Sequence, residues 1–390
     1  MPNITQPRIT LLYADTGGGH RATAQAVDQA IHQLYGDTYR TEIVNAIHAL
    51  PYPYDQAEKV YPVAVSQTRL GYELFWNATN NRGSTAASRF FIENAGRYRV
   101  RRFLQQHPAD IYVSCHPIVN QAIPEALQEV SPSTPVVGVV SDLSTVHALF
   151  WSPKIAHYTV PTEAARQRAI QNGVLPERIT VTGQPVLPNF AARVQQGRLQ
   201  REQMGYAPDK TVVLVMGGGD GMGHLVETVQ ALAQSDLPIQ IIAVCGRNEQ
   251  ARAAIQAMPT VAPTQALGFC NNIPELMGAA DLLVTKAGPG SICEGFIAGL
   301  PIALYDAVPG QEAGNIEWVT QSGAGQWCPS PELVLDQVRQ WLQQPAQMQQ
   351  ASLASLAQAQ PDAALHIARL IALTVGVPLS ESSRMLPERA

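Results

Sequence analysis

The sequence predicts an α/β protein made of two doubly wound, parallel-sheet domains. Three observations carry this reading. A strand, a glycine-rich loop and a helix follow one another twice, once from residue 9 and again from residue 211. Most other strand candidates are continuous Val/Ile/Leu runs, the composition of parallel strands covered on both faces. A polar, Gln-rich stretch at 191–203 separates the two sets and reads as a linker with some helix.

In chain order, the apolar run 9–14 leads into Asp15-Thr16-Gly17-Gly18-Gly19-His20. Ala22, Ala26, Val27, Ala30, Ile31 and Leu34 then keep the four-and-three spacing of a helix. Strands are expected at 41–45, 111–115, 136–141 and 158–160. The second start, Thr211-Val-Val-Leu-Val-Met216, leads into Gly217-Gly218-Gly219-Asp220-Gly221-Met222-Gly223, and a helix begins at Leu225. Strands at 239–245, 281–285 and 301–305 complete that half. The expected domains are 1–190 and 191–359, with a helix at about 360–376 packing back on the first and a disordered tail at 377–390.

Composition excludes several classes. Among 390 residues 46 % are apolar and 15 % charged, which suits globular cores and argues against general disorder. No run approaches the roughly 18 apolar residues of a spanning helix. The N-terminus runs almost directly into a strand-like segment, so a cytoplasmic-type chain without a signal peptide is expected. The five cysteines lie far apart, without Cys-x-x-Cys, as buried free thiols do. The net charge of −5 divides unevenly: 15 basic and 14 acidic residues in 1–190 give +1, and 11 and 17 in 191–390 give −6. Nucleic acid is a poor partner for such a chain. Between Arg82 and Arg102, however, six Arg stand against the single Glu93.

The candidate chemistry sits at the loops after strands. A glycine loop between strand and helix aims backbone N–H groups and the helix dipole at an anion. Gly17-x-Gly19-x-x-Ala22 also fits a relaxed dinucleotide fingerprint, but the next strand has Asn45 near its end instead of an acid, which disfavours an NAD-dependent oxidoreductase. His20, His116 and His147 all follow strand ends, where ligands bind in open parallel sheets. Three imidazoles suggest zinc, yet ligand spacing and carboxylate partners are missing. The alternative for His116 and His147 is a hydrogen-bonded core or loop role. His20 follows three glycines that let another molecule approach, and a neutral imidazole there suits a general base.

In the second half, Lys286-Ala-Gly288-Pro289-Gly290-Ser291 precedes a helix expected to open at Ser291-Ile-Cys-Glu294. Glu294 there is either the acid of a capping box or a carboxylate for a ribose diol beside a pyrophosphate at the helix N-terminus. Gln311 and Glu312, in Pro309-Gly-Gln-Glu-Ala-Gly-Asn315, are suited to sugar hydroxyls, although an acid in a first turn is ordinary. The chain has no Asp-x-Asp, so a sugar-nucleotide enzyme with this sequence would steady its leaving phosphate with helix dipoles and cations, without a metal or other cofactor.

These segments together resemble the monogalactosyldiacylglycerol synthases, relatives of the peptidoglycan N-acetylglucosaminyltransferases. The resemblance spans roughly residues 8–375. It rests on Asp15-Thr-Gly-Gly-Gly-His20-Arg-Ala22, Ser141-Asp-Leu-Ser-Thr-Val-His147, Thr182-Gly-Gln-Pro-Val186 and Met216-Gly-Gly-Gly-Asp220-Gly-Met-Gly223. Cys245-Gly-Arg247-Asn248, Lys286-Ala-Gly-Pro-Gly290 and Pro309-Gly-Gln311-Glu312-Ala-Gly-Asn315 extend it. The resemblance implies a GT-B fold and metal-free, inverting transfer of a hexose, galactose before glucose, from a UDP-sugar to diacylglycerol. It implies His20 as base, Gly288, Pro289, Gly290 and Ser291 around the pyrophosphate, Glu294 on the ribose, and Gly268 and Phe269 beside the uracil. Gln311, Glu312 and Asn315 would face the hexose, and Gly218, Gly219, Asp220 and Arg247 the leaving phosphate. Gly18, Gly19, His116, His147 and Trp151 fall on the acceptor side. The chain departs from the family in having Asp220 where Glu is usual and Leu187 where Arg is usual, and the stretch around Phe150 and Trp151 differs in detail.

Diacylglycerol stays in its bilayer, so a peripheral, cytoplasmic-face enzyme is expected. Arg82, Arg89, Arg97, Arg99, Arg101 and Arg102 alternate with Phe90, Phe91, Ile92, Tyr98, Val100 and Phe103, as a basic amphipathic segment facing anionic membrane lipids would. Its alternative is a solvated helix face packed on the domain. Other UDP-sugar lipid glycosyltransferases, and a sugar-nucleotide binder without catalysis, are the further functional alternatives.

Overall fold

A computed structural model of the chain describes residues 6–376 except Met222. Among these, twelve strands and fifteen α-helices fall into two compact units. The first takes the chain up to Val63, then Glu73–Pro188, and again from Asp362; the second takes Ala64–Tyr72 and Asn189–Pro361.

The first unit holds β1 (Arg8–Tyr13), β2 (Arg40–Asn45), β3 (Ile111–Ser114), β4 (Val136–Val139), β5 (His157–Val160) and β6 (Ile179–Val181). All pair in parallel, in the order β2-β1-β3-β4-β5-β6. Its helices are α1 (Gly19–Tyr35), α4 (Arg82–Gln106), α5 (Pro117–Val130) and α6 (Glu163–Gln171). Between α1 and α4, α2 (Ala57–Gln67) and α3 (Arg69–Thr79) run across the division, so that their adjoining ends belong to the second unit. The chain enters the sheet at β1, adds β2 on one side and then crosses to β3 on the other. That reversal opens a crevice beyond the carboxyl ends of β1 and β3, the usual ligand position in such sheets.

The second unit repeats the plan with β7 (Thr211–Met216), β8 (Ile239–Val244), β9 (Thr264–Leu267), β10 (Leu282–Lys286), β11 (Ile302–Asp306) and β12 (Gly325–Trp327). Their parallel order is β12-β11-β10-β7-β8-β9, so the chain reverses between β7 and β10. Its helices are α7 (Phe190–Gln200), α8 (Leu225–Ala233), α9 (Glu249–Ala257), α10 (Ile273–Ala279), α11 (Pro289–Ala298), α12 (Ala313–Gln321), α13 (Pro331–Gln343) and α14 (Pro345–Gln358). The last helix, α15 (Ala363–Val375), returns to the first unit and buries Ala364, Ile367, Ala368 and Ile371 with Val27, Ile31 and Ile111.

Each expected strand is present, with its ends displaced by no more than two residues. Three short edge or near-edge strands, β6, β9 and β12, were not expected from the sequence. The stretch at 191–203, expected as a linker with some helix, is the packed helix α7 and the turn after it. A Cβ on Gly197 would lie 2.1 Å from the Glu275 carbonyl oxygen, and one on Gly278 would lie 2.0 Å from that of Val194. Only paired glycines allow α7 and α10 to cross so closely, and Arg193 fastens the crossing to Glu275 at 2.7 and 2.8 Å. The tail expected at 377–390 lies outside the described residues.

Candidate functional site

In the first unit, the loop after β1 turns on Gly17 and Gly18, both in the left-handed region (φ +85° and +77°). Gly18 caps α1, and a Cβ on Gly19 would meet nothing within 4 Å, so the backbone there is open to another molecule. His20, the second residue of α1, is buried, with Nδ1 3.3 Å from the Ser141 hydroxyl. His116 follows β3 and precedes Pro117, which holds it extended (φ −139°, ψ 136°). Its ring meets that of His20 edge to face at 4.7 Å, and its Nε2 lies 3.1 Å from the Thr16 hydroxyl. Burial lowers the His20 pKa to about 4, against a smaller opposing effect of its hydrogen bond to the Cys115 backbone. Burial also holds His116 well below the usual imidazole value. Both rings are therefore neutral at pH 7.

His147 is placed differently. Its Nδ1 accepts from Leu149 N at 3.1 Å, its Nε2 lies 3.2 Å from the Thr79 hydroxyl, and its ring stands edge to face with Trp76. Both nitrogens are thus occupied, Nδ1 within its own loop and Nε2 at the end of α3, which matches the hydrogen-bonded alternative. Among the described residues no group of three or more His, Cys, Asp or Glu gathers in a way that could hold a metal ion. Trp151, expected on the acceptor side, is instead a core residue packed between Phe150 and Tyr158. Asn45 donates to Glu58 at 2.7 Å, where a dinucleotide site would present an acid.

In the second unit, the reversal between β7 and β10 brings the Gly217–Gly223 loop beside residues 286–288. The β10–β11 register slips between Thr285 and Lys286, and such a bulge re-aims a side chain. Here it turns Lys286 along the glycines: its Cε is 3.3 Å from where a Gly218 Cβ would stand, and its Nζ 3.2 Å from that of Gly288. The ammonium pairs with Glu312 at 2.7 Å. Glu312 is 4 % exposed and its other oxygen accepts from Val308 N at 2.8 Å. Asn315 donates to the Ala287 carbonyl at 2.8 Å and leaves its own carbonyl oxygen buried without a partner.

The helix here opens at Pro289, with Gly288 as cap, and not at Ser291. A proline at the first helical position has the required φ and no N–H to lose. Ser291 therefore does not cap, and Glu294, in the second turn, is not the acid of a capping box. Glu294 is half-buried and burial raises its carboxyl pKa to about 7. A Cβ on Gly290 would meet nothing within 4 Å, so the N-terminus of α11 is open. Opposite, Arg247 donates to Asp220 at 2.7 and 3.0 Å and lies over the exposed Phe269 ring at 5.9 Å. Gly268, at the end of β9, sits against Arg252 and Glu249.

Lys286 is the site residue that the sequence reading passed over. It opens the segment Lys286-Ala-Gly-Pro-Gly290, but a lysine closing a strand gives no sign of which way it points.

Residues 20–186 match the family described as Monogalactosyldiacylglycerol (MGDG) synthase, and residues 212–367 match the Glycosyltransferase family 28 C-terminal domain. Over 374 residues the chain is 33 % identical to the monogalactosyldiacylglycerol synthase of Spinacia oleracea, covering 92 % of this chain and 71 % of that protein. A protein of Glycine max named "Probable monogalactosyldiacylglycerol synthase, chloroplastic" is 34 % identical over 92 % of this chain and 70 % of its own length. The chain belongs to the monogalactosyldiacylglycerol synthase family. Solved structures agree on its fold. Acinetobacter baumannii MurG superposes with a TM-score of 0.59 at 17 % identity, covering 94 % of this chain and 99 % of that one. The UDP-GlcNAc 2-epimerase of Neisseria meningitidis superposes with 0.62 at 13 %, covering 93 % and 99 %. As a monogalactosyldiacylglycerol synthase family member with a GT-B fold, the chain is a glycosyltransferase.

The arginines expected to face a membrane are largely tied down. Arg97 and Arg101 share Glu129, and Arg99 pairs with Asp55 at 3.2 Å, while Arg102 is exposed. Ile92, Val100 and Phe103 of the same segment are buried in the core of the first unit and do not face a membrane. Phe90 (70 %), Tyr98 (78 %) and Phe75 (62 %) are exposed, and so are Leu74, Phe91, Val60 and Val63. Among the described residues no helix is long and apolar enough to cross a membrane.

Proposed function

We propose that this chain transfers galactose from UDP-galactose to diacylglycerol, with inversion, at a membrane surface. The single observation that carries the donor half is the bulged end of β10, which sets the Lys286 side chain between two glycine-lined turns, at Gly218 and Gly288, beside the open N-terminus of α11. Backbone N–H groups, a helix dipole and a cation in one place favour a nucleotide diphosphate. The names of the chain's relatives support galactose and diacylglycerol as substrates.

The second unit then holds the donor: α11 and Lys286 take the diphosphate, Glu294 the ribose and Gly268-Phe269 the uracil. Gln311, Glu312 and Asn315 face the hexose, with Asp220 and Arg247 beside the leaving phosphate. The acceptor hydroxyl oxygen attacks the anomeric carbon, and the bond from that carbon to the phosphate oxygen breaks as the new one forms. UDP leaves with the electron pair, and its charge is met by Lys286, Arg247 and the helix dipole, so the reading calls on no metal. His20, neutral and reached through the open backbone at Gly19, takes the hydroxyl proton. His116 keeps that ring in place.

A membrane-surface location is favoured by the exposed aromatic and aliphatic side chains of α2, α3 and α4, which a water-only protein seldom displays together. Anionic lipids and a cytoplasmic face belong to the same reading. Incubating the chain with diacylglycerol vesicles and UDP-galactose, UDP-glucose or UDP-N-acetylglucosamine, followed by lipid mass analysis, tests it. A hexosyl diacylglycerol formed fastest from UDP-galactose is expected, and no hexosyl lipid from any donor refutes it.

A further inference from the structure

The short piece of chain that the first half contributes to the second unit lands on the loop following β11. Arg69 donates through Nη2 to Asp306 Oδ1 at 2.5 Å and to the Ala307 carbonyl at 2.6 Å. One turn later, the Tyr72 hydroxyl donates to Gln311 Oε1 at 3.0 Å. Residues 69 and 72 share one face of α3, as i and i+3 must. Asp306 is itself buried, and its Oδ1 also accepts from Ala307 N at 2.8 Å. It lies against Gly223 so closely that a Cβ there would stand 2.4 Å from Oδ2. The loop 306–312 contains Pro309 and Gly310, the latter with φ +75°, and no regular element until α12 begins. Two backbone hydrogen bonds turn it locally, Gln311 N to the Pro309 carbonyl and Glu312 N to that of Val308, and two side chains of α3 restrain it from outside.

We propose that Arg69 and Tyr72 are positioning residues that set donor-hexose selectivity, a proposal that rests on the reading that Gln311 and Glu312 face the hexose. Neither residue touches the sugar. Arg69 neutralises Asp306 and ties down the Ala307 carbonyl, which fixes where the loop leaves the sheet. Tyr72 engages the carbonyl end of the Gln311 amide and so fixes which way that amide is turned. An amide turned over exchanges a donor for an acceptor, and discrimination between epimers that differ at one hydroxyl depends on that choice. UDP lacks the hexose, so its affinity stands outside this control.

The test uses the full chain and its Tyr72→Phe, Arg69→Gln and Arg69→Lys variants. Calorimetry gives the affinities for UDP, UDP-galactose and UDP-glucose, and steady-state assays give kcat and KM with diacylglycerol vesicles. Tyr72→Phe removes only a hydroxyl, which keeps the fold testable even where an Arg69 variant does not fold. We expect it to leave UDP affinity within twofold, raise KM for the preferred UDP-hexose about fivefold or more, and reduce the ratio between the two hexoses by a similar factor. Arg69→Gln should lower kcat/KM for the donor about thirtyfold, with Arg69→Lys recovering a good part of the loss. Equal weakening of UDP and UDP-hexose, or an unchanged hexose ratio in Tyr72→Phe, overturns the proposal alone. A wild-type chain that binds UDP-hexoses without distinguishing them overturns both this proposal and the hexose assignment beneath it.

Discussion

Gly290→Val separates nucleotide binding from folding more cleanly than any change to a charged residue. A Cβ at this position meets nothing within 4 Å, so a side chain can leave the backbone there without displacing a neighbour. Valine is also the better helix former by a few tenths of a kcal/mol, so the melting temperature should stay level or rise slightly. The same open space is where a diphosphate would rest on α11. Blocking it removes the dipole interaction, about 1 kcal/mol. Two charge-assisted hydrogen bonds from backbone N–H groups add about 1.5 kcal/mol each. Their sum of about 4 kcal/mol corresponds to a roughly thousandfold loss of UDP affinity, and half of it still gives about thirtyfold. Calorimetry with UDP and an NMR titration with uridine measure this, the nucleoside serving as a control that needs no phosphate site. UDP binding within threefold of wild type, in a protein that melts normally, refutes the placement of the diphosphate on this helix.

Other expectations follow from the same geometry. Gly19→Val, at another position where a Cβ meets nothing within 4 Å, should depress turnover with diacylglycerol at least tenfold while leaving UDP affinity intact, as paired kinetic and calorimetric measurements would reveal. His20→Ala should lose about a hundredfold or more in kcat with UDP still bound, and near-normal turnover would remove His20 from the role of base. Glu294, with its carboxyl near 7, should strengthen UDP binding as pH rises from 6 to 8, and Glu294→Gln should flatten that profile. His20 and His147, each lowered to about 4, stay neutral in the fold where the unfolded chain takes up protons. Stability should therefore be intact above pH 6.5 and fall as pH drops from 6.5 to about 4. The loss is roughly 3 kcal/mol for each group, read from urea midpoints at several pH values.

Much of this architecture was legible in the residues. The two glycine loops follow unbroken apolar strands, and Val/Ile/Leu runs marked the central positions of each sheet because burial on both faces demands them. The outer strands β6, β9 and β12 escaped notice because three or four residues such as Thr264-Gln-Ala-Leu267 carry too little pattern. Helix α7 looked like a linker because its signal is a pair of glycines, Gly197 and Gly278, that meet only in three dimensions. Pro289 was a legible sign of where α11 begins, and a capping-box match at Ser291 obscured it. Trp151 was misplaced because an aromatic after a candidate histidine looks the same whether it faces a ligand or a core. Arg69 and Tyr72 had no local signal at all, since their partners lie more than 230 positions further along the chain.

The return of α15 to the first unit has a consequence for biosynthesis. Ile367, Ala368 and Ile371 complete an apolar layer whose other members, Ile9, Val27 and Ile31, leave the ribosome more than 300 residues earlier. Until α15 has been made, that layer has one side uncovered, while β7–β12 of the second sheet have already emerged. The half of the enzyme made first is thus finished last, and a nascent chain halted before residue 362 should engage chaperones through the face that α15 will cover.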